Sequence, residues 1–180
     1  KLPVSALILN RPFLDMNMSW FMEEVVIPVI SFIGNYFPNL EVEGKGISQY
    51  AHSLLKRFHG EWEYNENWKK TTGHPKKAGW IHAIHKGHQT IQKGLNLTCP
   101  ILVMSSDKSI PETKIWNELY HTSDIVLDVK DIQKYGKMLG SRVTCKQIHN
   151  GKHDLILSNE PARKETYQVI FSWLKQQSGK

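Results

Sequence analysis

The residues best suited to chemistry lie near the end of the chain. Val143-Thr-Cys-Lys-Gln-Ile148 is a β-type run, and His149-Asn150-Gly151-Lys152-His153-Asp154 follows it. The run stops at Gly151, and an imidazole, His153, comes two residues later. That places an imidazole on a loop at the C-terminal end of a sheet strand, where α/β enzymes set their reactive groups. Its ring titrates near neutral pH, so it can take a hydroxyl proton and return it to a leaving group. Such a base needs a carboxylate to fix its tautomer and steady the imidazolium. Asp124, Asp107, Asp128 and Asp154 are the nearby choices. Asp154 adjoins the histidine, so its side chain is expected to point elsewhere.

The nucleophile is what the chain lacks. No Gly-x-Ser-x-Gly occurs, the strand-to-helix elbow that presents a serine in such folds. Ser105 and Ser106 end an apolar run but have no flanking glycines. Cys99 and Cys145 are too few for a disulfide framework and read as small buried thiols. His82, His85 and His88 recur every three residues, but no carboxylate or cysteine joins them at ligand spacing. They read as the polar face of a helix. Neither a metal nor a cofactor is implied.

Three apolar runs would position this chemistry: Ala6–Asn10, Ile101–Ser105 and Val143–Ile148. Each reads as a buried parallel strand followed by helical patterning, which predicts an α/β fold of about three parallel strands with flanking helices. The roughly 90 residues between the first two runs are too many for a simple βα connection. They are rich in Trp, His and Gly. Helices are expected at 19–37, bent or interrupted at Pro28, at 48–58 and at 78–93, with a loop over 60–77. Residues 16–95 thus read as a mostly helical cap inserted in the sheet, with aromatics to line a site. Further helices are expected at 111–121, at 129–139 and at 160–177, the last with Tyr167, Ile170, Phe171 and Leu174 facing the core.

Composition narrows the class. With 180 residues, 40% apolar, the chain fits one domain with a real core. The net charge of +6 comes mostly from dispersed lysines, and no nucleic-acid motif accompanies it. No apolar run is long enough to span a bilayer, and no signal peptide precedes the first strand, so a cytoplasmic protein without stable membrane insertion is expected. The Asn17-Met-Ser and Asn96-Leu-Thr sequons would matter only in a secreted protein. The chain opens directly on a core strand, which suggests that a segment lies upstream.

Several segments resemble the C-terminal half of the α/β-hydrolase fold, in the group of monoacylglycerol lipases, lysophospholipases and serine aminopeptidase-like (S33) proteins. Leu7-Ile-Leu-Asn-Arg-Pro-Phe-Leu-Asp15 is similar to the strand and exit loop after the nucleophile helix. Cys99-Pro-Ile-Leu-Val-Met104 is similar to the strand that leads to the acid, and Gly151-Lys-His153-Asp-Leu to the histidine loop. Gly60-Glu-Trp62 and Ala78-Gly-Trp80-Ile-His-Ala83 resemble the cap of a bacterial subgroup. The resemblance covers essentially the whole chain. It implies His153 as catalytic histidine and Asp124 as triad acid, ahead of Asp107 and Asp128. Asp124-Ile-Val-Leu is similar to the family's acid followed by small apolar residues, and residues 107–121 would then be an insertion. Asp128 can instead cap the next helix. The resemblance further implies a serine hydrolase of the carboxylesterase or lysophospholipase type. Its nucleophile would lie upstream of residue 1, in an N-terminal half absent here, and its substrate would be a small or lipid-like ester. The alternative is a non-catalytic ligand-binding module on the same scaffold.

Overall fold

The computed structural model describes residues 4–43 and 48–178. Residues 44–47 of the expected cap lie outside that range.

The sheet is built on three strands. β1 (Leu7–Asn10) pairs in parallel with β4 (Ile101–Ser106), which pairs in parallel with β5 (Val143–Ile148), in the order β1-β4-β5. The α/β fold class read from the sequence holds. β4 is central and buried along its whole length. Its residues alternate between two cores, as a pleated strand with both faces covered must. Ile101 and Val103 pack with Leu127, Ile132 and Leu139 on one face. Leu102 and Met104 pack with Ile148, Leu155, Ala162 and Trp173 on the other. α4 (Val129–Gly136) covers the first face and α5 (Glu160–Ser178) the second. Among the described residues, β1 has no strand on its outer edge.

Between β1 and β4 lies a small helical layer. A π-helical turn (Met22–Val26) runs directly into α1 (Ile27–Tyr36). The expected break at Pro28 takes this form: the ring removes a donor, and the Ile27 amide instead bonds back five residues to the Met22 carbonyl. α1 crosses α3 (Ala78–Gln92) so closely at Gly34 that a Cβ there would overlap the Ala78 carbonyl. Two short antiparallel strands, β2 (Glu41–Glu43) and β3 (Lys76–Lys77), join the layer. Met16, Ile27 and Ile81 form its core. The opposite side of the first helix stays open: Phe21, Val25, Val29, Phe32 and Tyr36 are all exposed.

Four sequence expectations need correction. Of the three strands read as buried, only β4 is so: β1 is half-buried and β5 exposes Lys146 and Gln147, because each has a neighbouring strand on one side only among the described residues. α2 covers only Gln49–Leu54, capped by Ser48, and not 48–58. Its chain turns back because Gly60 packs directly on the Leu54 backbone, where no Cβ would fit. The helix expected over 111–121 shrinks to a 3-10 turn at Glu118–His121. On α5, Tyr167 and Phe171 are exposed, while Ala162, Thr166 and Trp173 face the sheet.

Candidate active site

The two ends of β4 and β5 converge on one loop cluster. β4 runs out at Ser106 and the chain continues through Lys108–Ile110. There it meets Asp124, whose amide donates to the Lys108 carbonyl at 3.1 Å and whose carbonyl accepts from Ile110 at 2.9 Å. Residues 111–123 therefore leave and return through one neck. Tyr120, buried at 1% exposure, anchors that excursion, and its hydroxyl accepts from the Thr113 amide.

Asp124 is fully buried. Its Oδ1 accepts from the amides of Val126 (2.7 Å) and Leu127 (3.1 Å). The same carboxylate lies against Nδ1 of His153, at 3.3 Å from Oδ1 and 3.5 Å from Oδ2. A carboxylate with two backbone donors cannot turn, so it offers the imidazole a fixed acceptor. With Nδ1–H facing that acceptor, Nε2 of His153 is the nitrogen left for proton transfer.

The loop carrying His153 is tied on every side. Ser106 Oγ donates to the Gly151 carbonyl at 2.7 Å. The Lys152 amide donates to Ser158 Oγ at 2.8 Å. Asp154 points away from the site, accepting from Asn10 Nδ2 at 2.9 Å and from the Ile156 amide. From the helical layer, Tyr50 of α2 meets the His153 ring edge-to-face, with centroids 5.1 Å apart. Burial pushes the Tyr50 hydroxyl's pKa upward. The Lys152 ammonium is buried and donates to the Ser53 carbonyl at 2.6 Å, and burial lowers its pKa to about 8.

His153 itself is held neutral. Burial, then the Arg11 charge, lower its pKa to about 4, against the opposing pull of Asp154. Arg11 sits immediately after β1, with φ +55°. Its guanidinium forms an ion pair with Asp124, and its Nη1 donates to the Lys152 carbonyl at 2.9 Å.

The other candidate carboxylates are engaged elsewhere. Asp107 accepts from His149 Nδ1 at 2.8 Å and from the Asn150 amide. Asp128 caps α4 through the Lys130 amide and accepts from Ser109 Oγ. Ser105 and Ser106 are fully buried, and their hydroxyls bond to Ser106 and Gly151 carbonyls. Two of the three histidines of α3 tie it to neighbouring segments, while His85 bonds to Gln89 of its own helix. His82 bonds to Ser31, and His88 bonds to the Phe13 carbonyl at 3.1 Å.

Arg11 and His153 both line a cleft of about 410 Å³ between the sheet's loops and the helical layer. Its other walls are mainly apolar, with Phe13, Met16, Ile27, Trp80 and Leu127. Sequence reasoning did not find Arg11, Tyr50 or Lys152. For Arg11 a signal existed: a charged residue directly after a buried strand, in the same kind of position that singled out His153. Tyr50 and Lys152 had none, since their roles depend on how the helical layer folds over the loop.

The parallel strand order and the covering helices match the C-terminal part of the α/β-hydrolase fold. Solved lipases are among the structures that share it. A monoacylglycerol lipase from Paleococcus ferrophilus matches with TM-score 0.64 and 11% identity, over 97% of this chain and 60% of its own. A soluble variant of monoglyceride lipase from Saccharomyces cerevisiae, solved with a substrate analog, matches with TM-score 0.60 and 10% identity, over 96% and 56%. The chain thus spans a little over half the length of these lipases. No family model and no curated protein matches the sequence.

Proposed function

We propose that this chain is the acid–histidine portion of a serine hydrolase that cleaves esters with an apolar acyl group. The observation that carries the reading is the buried Asp124 carboxylate 3.3 Å from His153 Nδ1, at a cleft with apolar walls. A serine upstream of residue 1 would attack the ester carbonyl. His153 Nε2 would take its hydroxyl proton and pass it to the departing alcohol as the acyl–oxygen bond breaks. Water, deprotonated by the same nitrogen, would then release the acid and regenerate the serine. Asp124 would hold the ring and steady its charge. Residues 16–95 would form the cap, and the apolar cleft beneath it suits a lipid-like ester such as a monoacylglycerol or lysophospholipid.

The test is a fluorophosphonate probe on the product of the complete reading frame, read by intact mass. One adduct on a protein heavier than the 20.8 kDa of this chain is the expected result. An unlabelled protein would overturn the reading and favour a non-catalytic binding module.

A further inference from the structure

Arg11 is an unusual residue for its place. It is a charged side chain, 1% exposed, at the end of a core strand. Its φ of +55° lies in the left-handed region that non-glycine residues avoid. Strain of this kind persists where the surroundings over-determine it, and here they do. The Arg11 amide donates to the Met104 carbonyl, Nη1 donates to the Lys152 carbonyl, and the guanidinium pairs with Asp124. One side chain therefore joins the end of β1, the acid and the residue preceding His153.

That geometry divides Asp124 between two cationic partners. Its carboxylate faces both the guanidinium and the imidazole, and its second oxygen lies near each. We propose that Arg11 is a positioning residue which, by pairing with Asp124, limits how strongly that carboxylate supports a proton on His153. The proposal rests on the hydrolase reading for its catalytic meaning, but the physical coupling among the three side chains does not.

The charged and titratable groups around His153 come from every packed element. Arg11 follows β1, and Asp124 sits at the neck after β4. Tyr50 comes from α2, Lys69 from the loop beyond it, and Asp154 from the histidine's own loop. Of the neighbouring cations, Arg11 exerts the largest effect on the ring and Lys69 a smaller one, both disfavouring protonation. Removing the guanidinium should leave the carboxylate undivided and raise the basicity of His153. A lysine at position 11 keeps the charge and should restore the wild-type behaviour.

The experiment is an NMR titration of ring-labelled histidines in the full-length protein, with His153 assigned by its loss in His153→Gln. In Arg11→Met, His153 should titrate at a pH roughly 1 unit or more higher than in the wild type. In Arg11→Lys it should titrate near the wild-type value. Equal titration in all three would overturn the proposal. Arg11→Met strands a buried carboxylate and can fail to fold. The comparison is then Arg11→Gln, which keeps a side-chain donor beside the carboxylate but removes the charge, and His153 should again titrate higher than in the wild type. Equal titration of Arg11→Gln and wild type also overturns it. Failure of fluorophosphonate labelling sinks the hydrolase reading without altering this result.

Discussion

Asp124 and His153 come from loops 29 residues apart, yet the carboxylate and the imidazole meet at 3.3 Å. Neither position depends on the other's side chain. Asp124 is set by backbone bonds to Lys108 and Ile110, and His153 by a loop tied through Gly151, Lys152 and Asp154. A pair preorganised by its supports keeps its geometry when one member changes. Changing His153 should therefore report on chemistry more than on folding, whereas changing Asp124 also strands the buried Arg11 guanidinium.

In the intact protein, His153→Ala should lower kcat/KM for a short-chain ester by about 10⁴-fold or more. The side chain is a quarter exposed and its main polar partner is Asp124, so the thermal midpoint should move by only a few degrees. Turnover within tenfold of wild type would exclude His153 as the base.

The two leading acids should separate cleanly. Asp124→Asn should cost about 10³–10⁴ in kcat, because the amide cannot hold the same tautomer. Asp107→Asn should cost less than about tenfold, since Asp107 engages the exposed His149. Steady-state kinetics on both variants decides. The reverse order would move the acid to Asp107.

Stability should depend on pH through His153. Its folded pKa of about 4 lies below the 6.5 of an unperturbed histidine. Between those values the unfolded chain binds the extra proton, so stability is complete above about pH 6.5 and falls as pH drops toward 4. The loss is at most about 3 kcal/mol. Urea midpoints from pH 7 to 4 should show this slope, and His153→Gln should flatten it. An unchanged slope in the variant would mean that the ring titrates normally.

Much of this arrangement was legible beforehand, for physical reasons. β4 announced itself as an apolar run because a strand buried on both faces admits little else. His153 stood out because a glycine-led loop after a strand is short and local. What the sequence hid was set by distant contacts. α2 stops at Leu54 because Gly60 closes on its backbone, a fact no helical period encodes. The stripe on α5 was misread because Tyr167 and Phe171 share helical spacing with buried residues, and periodicity cannot say which of two apolar faces meets the sheet. Arg11 was overlooked because its partner, Asp124, is 113 residues away in sequence.

The α1–α3 crossing makes a steric prediction. A methyl group on Gly34 would collide with the Ala78 carbonyl, a backbone atom that cannot rotate aside. Gly34→Ala should destabilise the protein by about 1–3 kcal/mol, seen as a lower urea midpoint. Gly87→Ala, with open space around it on α3, is the control and should be neutral or slightly stabilising. Equal midpoints for the two variants would mean that the helices can separate without cost.

The open edge of β1 bears on the proposed upstream half. A parallel strand is normally covered on both faces and paired on both sides within its sheet, and an unpaired edge templates association. Here β1 pairs with β4 alone among the described residues, and its four residues are only partly buried. Phe171 and Tyr167 on α5 add exposed apolar surface. If an upstream strand completes the sheet, residues 1–180 produced alone should self-associate with rising concentration in light scattering. The product of the complete reading frame should not. A 180-residue chain that stays monomeric, with cooperative unfolding, would show that β1 needs no upstream neighbour, and the proposed division of the triad would lose its structural support.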